Sequence, residues 1–455
     1  MTSVETDPVE RSGDWVQTAP GLQEIDFSRL KMKVDADRYL SQEFAERERE
    51  RIWNRVWQVV CRVDDLPNAG DWKEYKILDR SYLVVRGADG VIRGLVNACR
   101  HRGNVMCVDG KGNTGRRFTC PYHLWSYDLE GKLRGVSHPE LVGEIDKGEL
   151  GLFEVAVDTF AGFVFLNPDP DAGPLAEFLG ESVLACMEPY HLDEMVTVLD
   201  VREAIECNWK IVVDAFQEGY HIQGIHPELL QVIVIDPYSA RFNLSGDHVV
   251  SCAPFQVPNA DPEDELTGLR DLPTTFPTVA GYLPRLEELV DAHRGADGKI
   301  EYPEGVTGRT LLQQATRETL TDMGCDVTGL TDEQMTDNHG WLIFPNFFMT
   351  IRAGEATVIT MVPHPDGDPN RCIWQIRSYI WLPEEHHEAF RSEPVEVAEP
   401  GSYPYFRALQ QDYDQMPRQQ RGLRSLRGSY MNLVMEELNV GRFHTVLDRW
   451  LSKEN

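Results

Sequence analysis

Two short loops, Cys99-Arg100-His101 and Cys120-Pro121-Tyr122-His123, constrain this chain more than any other feature. Each offers one thiolate and one imidazole, and a fold that uses them must bring both loops to one point. Two Cys and two His make the ligand set of a Rieske-type [2Fe-2S] cluster, in which one iron takes both thiolates and the other both imidazoles. Neutral imidazole in place of thiolate lowers the negative charge on the cluster and raises its reduction potential. Zinc uses the same side chains, but its sites usually pair Cys with Cys and His with His. Cys99, His101, Cys120 and His123 are therefore read as cluster ligands.

At 455 residues the chain has room for two or three domains with sizeable cores. A formal charge of −30 argues against nucleic acid or an anionic membrane as partner, since both select basic surfaces. No apolar run approaches the roughly 18 residues of a spanning helix. The opening MTSVETDPVERSGDW is acidic and polar, unlike a secretory signal, so cytoplasmic residence is expected. Nine cysteines without framework spacing fit reduced thiols rather than disulfides.

Residues 35–57 carry Leu40, Phe44, Trp53, Val56 and Trp57 among Glu and Arg and read as a helix with an apolar stripe. Beyond them the pattern changes to strands: Ser81 to Arg86 and Val91 to Val96 around a hairpin at Ala88-Asp89-Gly90, Trp125 to Leu133 turning at Glu130-Gly131, and Phe160 to Leu166. The Pro- and Asp-rich run Asn167 to Pro174 is a domain boundary. Helical stretches follow, then a Pro-, Gly- and Asp-interrupted region over 253–340. Apolar runs at Trp341 to Ile351, Thr357 to Val362 and Ile373 to Leu382 suggest one antiparallel sheet. The expected division is an N-terminal segment over 1–54 packing on the catalytic domain, a cluster domain over 55–170, and a catalytic domain over 171–455. Between the ligand loops, Gly110-Lys111-Gly112-Asn113-Thr114-Gly115 fits the G-x-G-x-x-G pattern of dinucleotide-binding folds. That pattern requires a preceding strand and a following helix, and this one joins two loops of an all-β stretch. Electrons must then come from a separate protein.

A second metal constellation lies in Cys207 to Pro227. At about 100° per residue, Trp209, Val212, Val213, Phe216 and Tyr220 share one arc, and Asp214, Glu218 and His221 share the opposite one. His226 would stand about 140° from His221 on a regular helix, so the two can share a metal only if the chain unwinds between them. Gly224 permits unwinding and Pro227 discourages continuation. Two histidines and a carboxylate with open positions form the facial triad of oxygen-activating non-heme Fe(II) sites, so a third ligand is required.

With these motifs the chain resembles the α subunits of Rieske non-heme iron oxygenases, the ring-hydroxylating dioxygenase family. The resemblance implies an α+β fold, a small all-β Rieske domain inserted into a helix-grip-like catalytic domain whose central antiparallel sheet is flanked by helices. It implies a Rieske [2Fe-2S] cluster, a mononuclear Fe(II) and O2 as co-substrate. The family's third ligand is an acid in a downstream helical stretch that Gln411-Asp412-Tyr413-Asp414-Gln415-Met416 matches: Asp412 is assigned, with Asp414 as the alternative. By the same resemblance Glu218 bridges His221 to the cluster ligand His123 of a neighbouring subunit. Most relatives carry aspartate there; some branches, quaternary-amine oxygenases among them, carry glutamate. Asp214, one turn earlier, is placed to orient His221 or water near the iron. The resemblance also implies a head-to-tail homotrimer, α3 or α3β3 with a small β subunit, and a reductase, with or without a ferredoxin, drawing electrons from NAD(P)H.

Around the ligand loops Arg100, Arg102, Lys111, Arg116 and Arg117 face only Asp109, a basic island on an acidic chain that could steer an acidic electron donor. The substrate pocket is expected to draw on the ligand helix, on Phe344, Phe347 and Phe348, and on the 253–340 segment with Phe255, Leu266, Phe276 and Tyr282. The leading expectation is hydroxylation or dihydroxylation of an apolar or aromatic substrate. Demethylation or cleavage of a quaternary or methylated amine comes second. A Rieske electron carrier without its own oxygenation activity is a further alternative.

Overall fold

The computed structural model describes residues 23–24, 27–108, 110–231, 241–253 and 261–452. Contacts between Cα atoms divide the chain into two units, one running to Ser41 and continuing over Leu179–Met361 and Pro369–Arg449, the other Gln42–Phe178 with Val362–Asp368 and the last residues from Trp450. The smaller unit thus interrupts the larger in sequence. It begins at Gln42 rather than residue 55, and it ends a few residues beyond the Pro-rich run.

The smaller unit is mainly β. A seven-stranded sheet has the order Gln58–Arg62, Phe163–Asn167, Glu154–Phe160, Ile92–Val96, Arg80–Arg86, Asp71–Ile77 and Lys111–Asn113. A three-stranded sheet orders Leu133–Gly135, Ser126–Asp128 and Arg117–Thr119. The run read as one strand from Phe160 is a hairpin, turning at Ala161-Gly162 where both residues have positive φ. Lys111–Asn113 pairs with Asp71–Lys73, so the glycine-rich stretch opens no helix. Leu83, Leu95, Phe118, Trp125 and Tyr127 pack with Cys99 and Cys120 into one core, which fixes both ligand loops to it. The expected helix over 35–57 is broken into a 3-10 turn Ala36–Tyr39, a helix Gln42–Glu48 and a π turn Arg49–Trp53.

The larger unit is built on a nine-stranded sheet. Its order is Gln23–Glu24, Arg241–Ser245, His248–Ala253, Asn338–Ile343, Phe347–Arg352, Glu355–Pro363, Cys372–Ile380, Val196–Ile205 and Val395–Val397. Val395–Val397 runs parallel to Val196–Ile205, which departs from a purely antiparallel sheet. Trp341 to Ile351 is two strands rather than one, turning at Phe344-Pro345-Asn346. Helices Trp209–Ala215 and Arg407–Ser425 pack on each other, the first also on the strand Cys372–Ile380. The interrupted stretch after residue 260 folds into helices Pro262–Asp271, Leu283–Asp291, Gly308–Asp322 and Asp332–Thr336, with a core of Leu266, Leu269, Leu286, Val290, Leu311 and Leu312. Pro262 and Pro284 sit in the first turns of helices, where no backbone N–H is needed.

None of the described cysteines forms a disulfide, and all but Cys107 are buried. No helix among the described residues is long and apolar enough to cross a membrane.

Candidate metal centres

In the smaller unit the two ligand loops meet as their spacing predicts. Cys99 and Cys120 are buried at 3% and 1% exposure, whereas His101 lies at the surface with His123 beside it, half-buried. The two imidazoles face each other, Nδ1 to Nδ1 at 3.1 Å. His101 stacks on Trp125 at 4.9 Å, and Ser137 Oγ donates to the His123 carbonyl at 2.7 Å. Tyr127 Oη lies 3.2 Å from Cys99 Sγ, and Asn104 Nδ2 lies 3.8 Å from Cys120 Sγ. Two buried sulfurs with hydroxyl and amide donors, set behind two converging Nδ1 atoms, fit the [2Fe-2S] group: hydrogen bonds to the sulfurs tune it and the imidazole edge meets solvent. Burial pushes the Cys99 thiol up, with Tyr127 opposing it. Desolvation, then the charges of His101 and Arg102, hold His123 below the usual histidine range.

The basic island is smaller than the sequence suggests. Arg100 donates to the Gly151 carbonyl at 2.7 Å and lies 3.9 Å over the Phe153 ring, which commits it to the fold. Arg102, Lys111, Arg116 and Arg117 are exposed; Asp109 lies outside the described residues.

In the larger unit the helix Trp209–Ala215 starts at Asn208, whose side chain accepts from the Lys210 N–H at 3.0 Å, a cap that contributes about 1 kcal/mol. The helix ends at Phe216, well short of the histidines. Glu218 starts the next turn: Oε2 accepts from the His221 backbone N–H at 3.0 Å, and Oε1 takes His221 Nδ1 at 2.5 Å. One short turn, Ile222–Ile225, then separates His221 from His226. Its end bends at His226 itself (φ −122°, ψ 53°), ahead of Pro227, and this bend, with Gly224 still helical, brings the rings to 5.3 Å between centroids.

Asp412 comes from the helix Arg407–Ser425 and completes the group. Its Oδ1 lies 2.9 Å from His226 Nε2 and 3.5 Å from His221 Nε2, and one ligand atom from each of the three lies within 4.8 Å of the others. Asp414 is exposed and takes Gln410 Nε2 at 2.9 Å, so the geometry gathers Asp412 and leaves Asp414 outside. The Nδ1 atoms face away from this point: His221 Nδ1 meets Glu218, and His226 Nδ1 meets Gln411 Oε1 at 2.8 Å. An acceptor at each Nδ1 holds the proton there and frees each Nε2 lone pair, the outer arrangement of a histidine metal site. The donor set of two imidazoles and one carboxylate fits Fe(II) with open positions. Gln411 was not read from the sequence, although its position beside Asp412 was the available signal.

Charge around His221 is mostly negative. Burial disfavours its charged form, but the Glu218 hydrogen bond and charge, with Asp412 and Glu437, outweigh burial and raise its pKa. Burial, with Glu218 and Asp214 adding, raises the Glu437 carboxyl. Asp214 does not orient His221. Its helix ends before the histidines, and Oδ2 takes the Tyr39 hydroxyl at 2.5 Å while Oδ1 lies 3.3 Å from His444 Nε2, a buried link to the N-terminal and C-terminal segments.

The triad opens on a cavity of about 390 Å³. Phe216 and Phe348 stack at 5.4 Å on its wall, Ile351, Ile359 and Tyr379 come from the sheet, and Phe276 from the helical insertion. Arg352 and Glu355 form an ion pair on the same wall, with the Arg352 guanidinium 4.4 Å over Phe276 and Thr278 donating to Glu355. Phe344 packs in the core against Phe443 instead, Leu266 sits in the core of the insertion with Tyr282 packed against it, and Phe347 is buried away from the lining. Phe255 lies outside the described residues.

Family models match two stretches: residues 56–146 fit the Rieske [2Fe-2S] domain, and residues 187–453 fit the ring-hydroxylating α subunit catalytic domain. The glycine betaine monooxygenase oxygenase subunit of Pseudomonas aeruginosa (strain UCBPP-PA14) is 29% identical over 274 residues, 58% of this chain and 62% of that protein. The carnitine monooxygenase oxygenase subunit of Escherichia coli (strain K12) is 34% identical over 209 residues, 45% of this chain and 55% of that one. These alignments thus span less than two thirds of either relative. Naphthalene 1,2-dioxygenase with indole bound has the same fold, with a TM-score of 0.65, 20% identity and 93% of each chain covered.

Proposed function

The chain belongs to the ring-hydroxylating oxygenase α subunits that carry a Rieske [2Fe-2S] domain, and on that premise we propose that it is a terminal oxygenase acting on a quaternary or methylated amine. When bound, the cluster relays single electrons and the mononuclear Fe(II) activates dioxygen beside the substrate. The observation that carries the oxygenase reading is the convergence of His221 Nε2, His226 Nε2 and Asp412 Oδ1 at the cavity, with Glu218 and Gln411 on the two Nδ1 atoms.

The remaining work falls to named side chains. Glu218 and Gln411 keep both imidazoles in the ligating tautomer. The apolar wall around Phe216, Phe348 and Ile359 excludes water and holds the substrate body. Glu218 also joins the neighbouring copy's cluster edge to His221, so that electrons cross between subunits of a homotrimer. A separate reductase, with or without a ferredoxin, supplies them from NAD(P)H.

The amine reading is supported by the two relatives, by glutamate rather than aspartate at position 218, and by Phe216 and Phe348 in the same lining as Glu218, which suit a bulky cation. This reverses the order expected from the sequence. An arene remains the second reading, favoured by the stacked Phe216 and Phe348 rings that would also hold a flat apolar substrate.

Oxygen uptake with a reductase system, glycine betaine, carnitine and naphthalene in parallel, followed by product identification, tests the assignment. Amine-dependent uptake with release of formaldehyde or a smaller amine is expected. Turnover of the arene alone would overturn the amine class. His221→Ala should keep the cluster's visible absorption, lower iron from about three to about two per chain and abolish product. Retained product would overturn the triad.

A further inference from the structure

A second group of chemistry-bearing side chains begins one residue after Asp412 and has no part in the function above. Tyr413 follows Asp412 on its helix and is buried. Its ring lies 5.3 Å from Trp374 and 5.8 Å from Tyr405, with Trp374 and Tyr405 5.3 Å apart. Tyr403 stands 4.8 Å beyond Tyr405 and is the member that reaches the surface. One carboxylate serves the group. Glu203, 2% exposed, accepts the Tyr405 hydroxyl at 2.9 Å and the Gly401 N–H at 3.2 Å, and after burial its charge raises the pKa of the Tyr413 phenol. Trp374 Nε1 donates to the Tyr405 oxygen at 3.2 Å.

Packing explains why rings cluster, but not why a carboxylate is buried among them. Among the described residues the hydrogen-bond partners of Glu203 are the Tyr405 phenol and a backbone N–H, with no cation, and burying such a group is costly. Tyr and Trp are the side chains most easily oxidised by one electron, and a phenol that loses an electron becomes a strong acid. A buried carboxylate already bonded to the phenol takes that proton without moving net charge through the protein. Burial, then Glu203, keeps the resting Tyr405 phenol far above its usual pKa, so the proton leaves only on oxidation.

We propose that Tyr413, Trp374, Tyr405 and Tyr403 form a one-electron exit that carries oxidising equivalents from the triad to the surface when dioxygen is reduced without substrate in the cavity. This rests on the oxygenase reading but on no substrate class. An oxidising equivalent stranded at the triad is reduced by one electron that passes by way of Tyr413 from Trp374, whose indole carries the hole with its N–H in place. Tyr405 refills that hole with one electron and passes its phenolic proton to Glu203. Tyr403 then returns an electron to Tyr405, Glu203 returns the proton, and Tyr403 loses its own proton to water. A soluble one-electron donor of the thiol or ascorbate class restores Tyr403, which takes its proton back from water.

Two measurements test the exit. Iron-loaded protein given reductase, NADH and dioxygen without substrate should show a tyrosyl radical by freeze-quench EPR and oxidised peptides centred on Tyr403. In Tyr405→Phe, and in Tyr403→Phe at the half-buried outer end, the radical should fall several-fold and oxidation should move inward to Tyr413 and the cavity wall, with iron content and cluster absorption unchanged; Tyr405→Phe also takes a donor from buried Glu203 and lowers the melting temperature, whereas Tyr403→Phe leaves it unchanged. An identical oxidation map in wild type and both variants would overturn the proposal. In protein that keeps its cluster but lacks the mononuclear iron, exposed to a soluble photo-oxidant, Glu203→Gln should lower oxidation of the Tyr405 peptide several-fold, and an equal yield there would likewise overturn it. Neither measurement uses a substrate, so an error in the amine assignment leaves both outcomes intact.

Discussion

Gln411→Leu isolates the outer support of the triad. The Gln411 amide oxygen lies 2.8 Å from His226 Nδ1, and the His226 side chain is only 3% exposed, so water cannot replace the lost acceptor. Two outcomes are open to the imidazole. It keeps Nδ1–H unpaired in a buried site, at about 1–3 kcal/mol, or it moves the proton to Nε2 and ceases to be a ligand. Either way the loss appears as weaker iron binding, about 10–100-fold for an outer partner of a ligating histidine. The assay is retention of the mononuclear iron against a graded chelator, with cluster absorption as the internal control. Excess Fe(II) should restore product in proportion to site occupancy. Gln411→Glu, which keeps an acceptor at Nδ1, should hold iron at least as well as wild type. Iron affinity in Gln411→Leu within about twofold of wild type would refute the reasoning, because the tautomer would then need no partner.

The proposed electron transfer between subunits is tested by complementation: mixed oligomers of a Cys99→Ser chain and a His221→Ala chain, each inactive alone, should regain product, and silence in verified mixtures would overturn it. Arg116→Glu with Arg117→Glu should slow cluster reduction by an acidic donor and flatten its salt dependence, and unchanged rates and slopes would remove the steering role. His339 is fully buried, and desolvation followed by the Arg352 charge lowers its pKa from 6.5 to about 3, while Tyr190 Oη lies 3.0 Å from its Nδ1. Below pH 6.5 the unfolded chain binds the proton that the folded one refuses, so stability from this site is complete above pH 6.5 and is lost as pH falls toward about 3. His339→Gln should flatten that acid slope in circular-dichroism unfolding curves, and an unchanged slope would assign it to other groups.

The parts legible in the sequence were those whose chemistry is local. Cys99, His101, Cys120 and His123 announce themselves because each loop carries its ligands within a few residues, and the hairpin around Gly90 needs only its turn chemistry. Helical periodicity misled where tertiary partners set the backbone. It extended the ligand helix through His221, whereas the chain stops at Phe216 and restarts on the Glu218 carboxylate. Asp214 was placed beside the metal by that false continuity, although Tyr39 and His444, far away in sequence, hold it. The helices after residue 260 were obscured for a related reason: prolines that read as breaks are helix starts.

Gln411 and Glu203 show what a single sequence hides and a structure reveals. Neither has a motif, and each acquires a role only from a partner at long range, His226 in one case and Tyr405 in the other. Gln411 stands on the Asp412 helix itself, and Glu203 on the strand Val196–Ile205. One directs the histidine proton away from the metal position; the other offers a proton acceptor to Tyr405. An enzyme that reduces dioxygen at a buried site must hold its ligands rigid while a substrate is present and dispose of oxidising power when none is. Placing both supports around one helix allows the same backbone to serve both demands. The two supports are therefore separable by mutation: Gln411→Leu should alter iron retention and leave the tyrosyl signal per bound iron intact. Tyr405→Phe should do the reverse, and a variant set in which both readouts always move together would mean that the helix itself, rather than either side chain, is what the substitutions disturb.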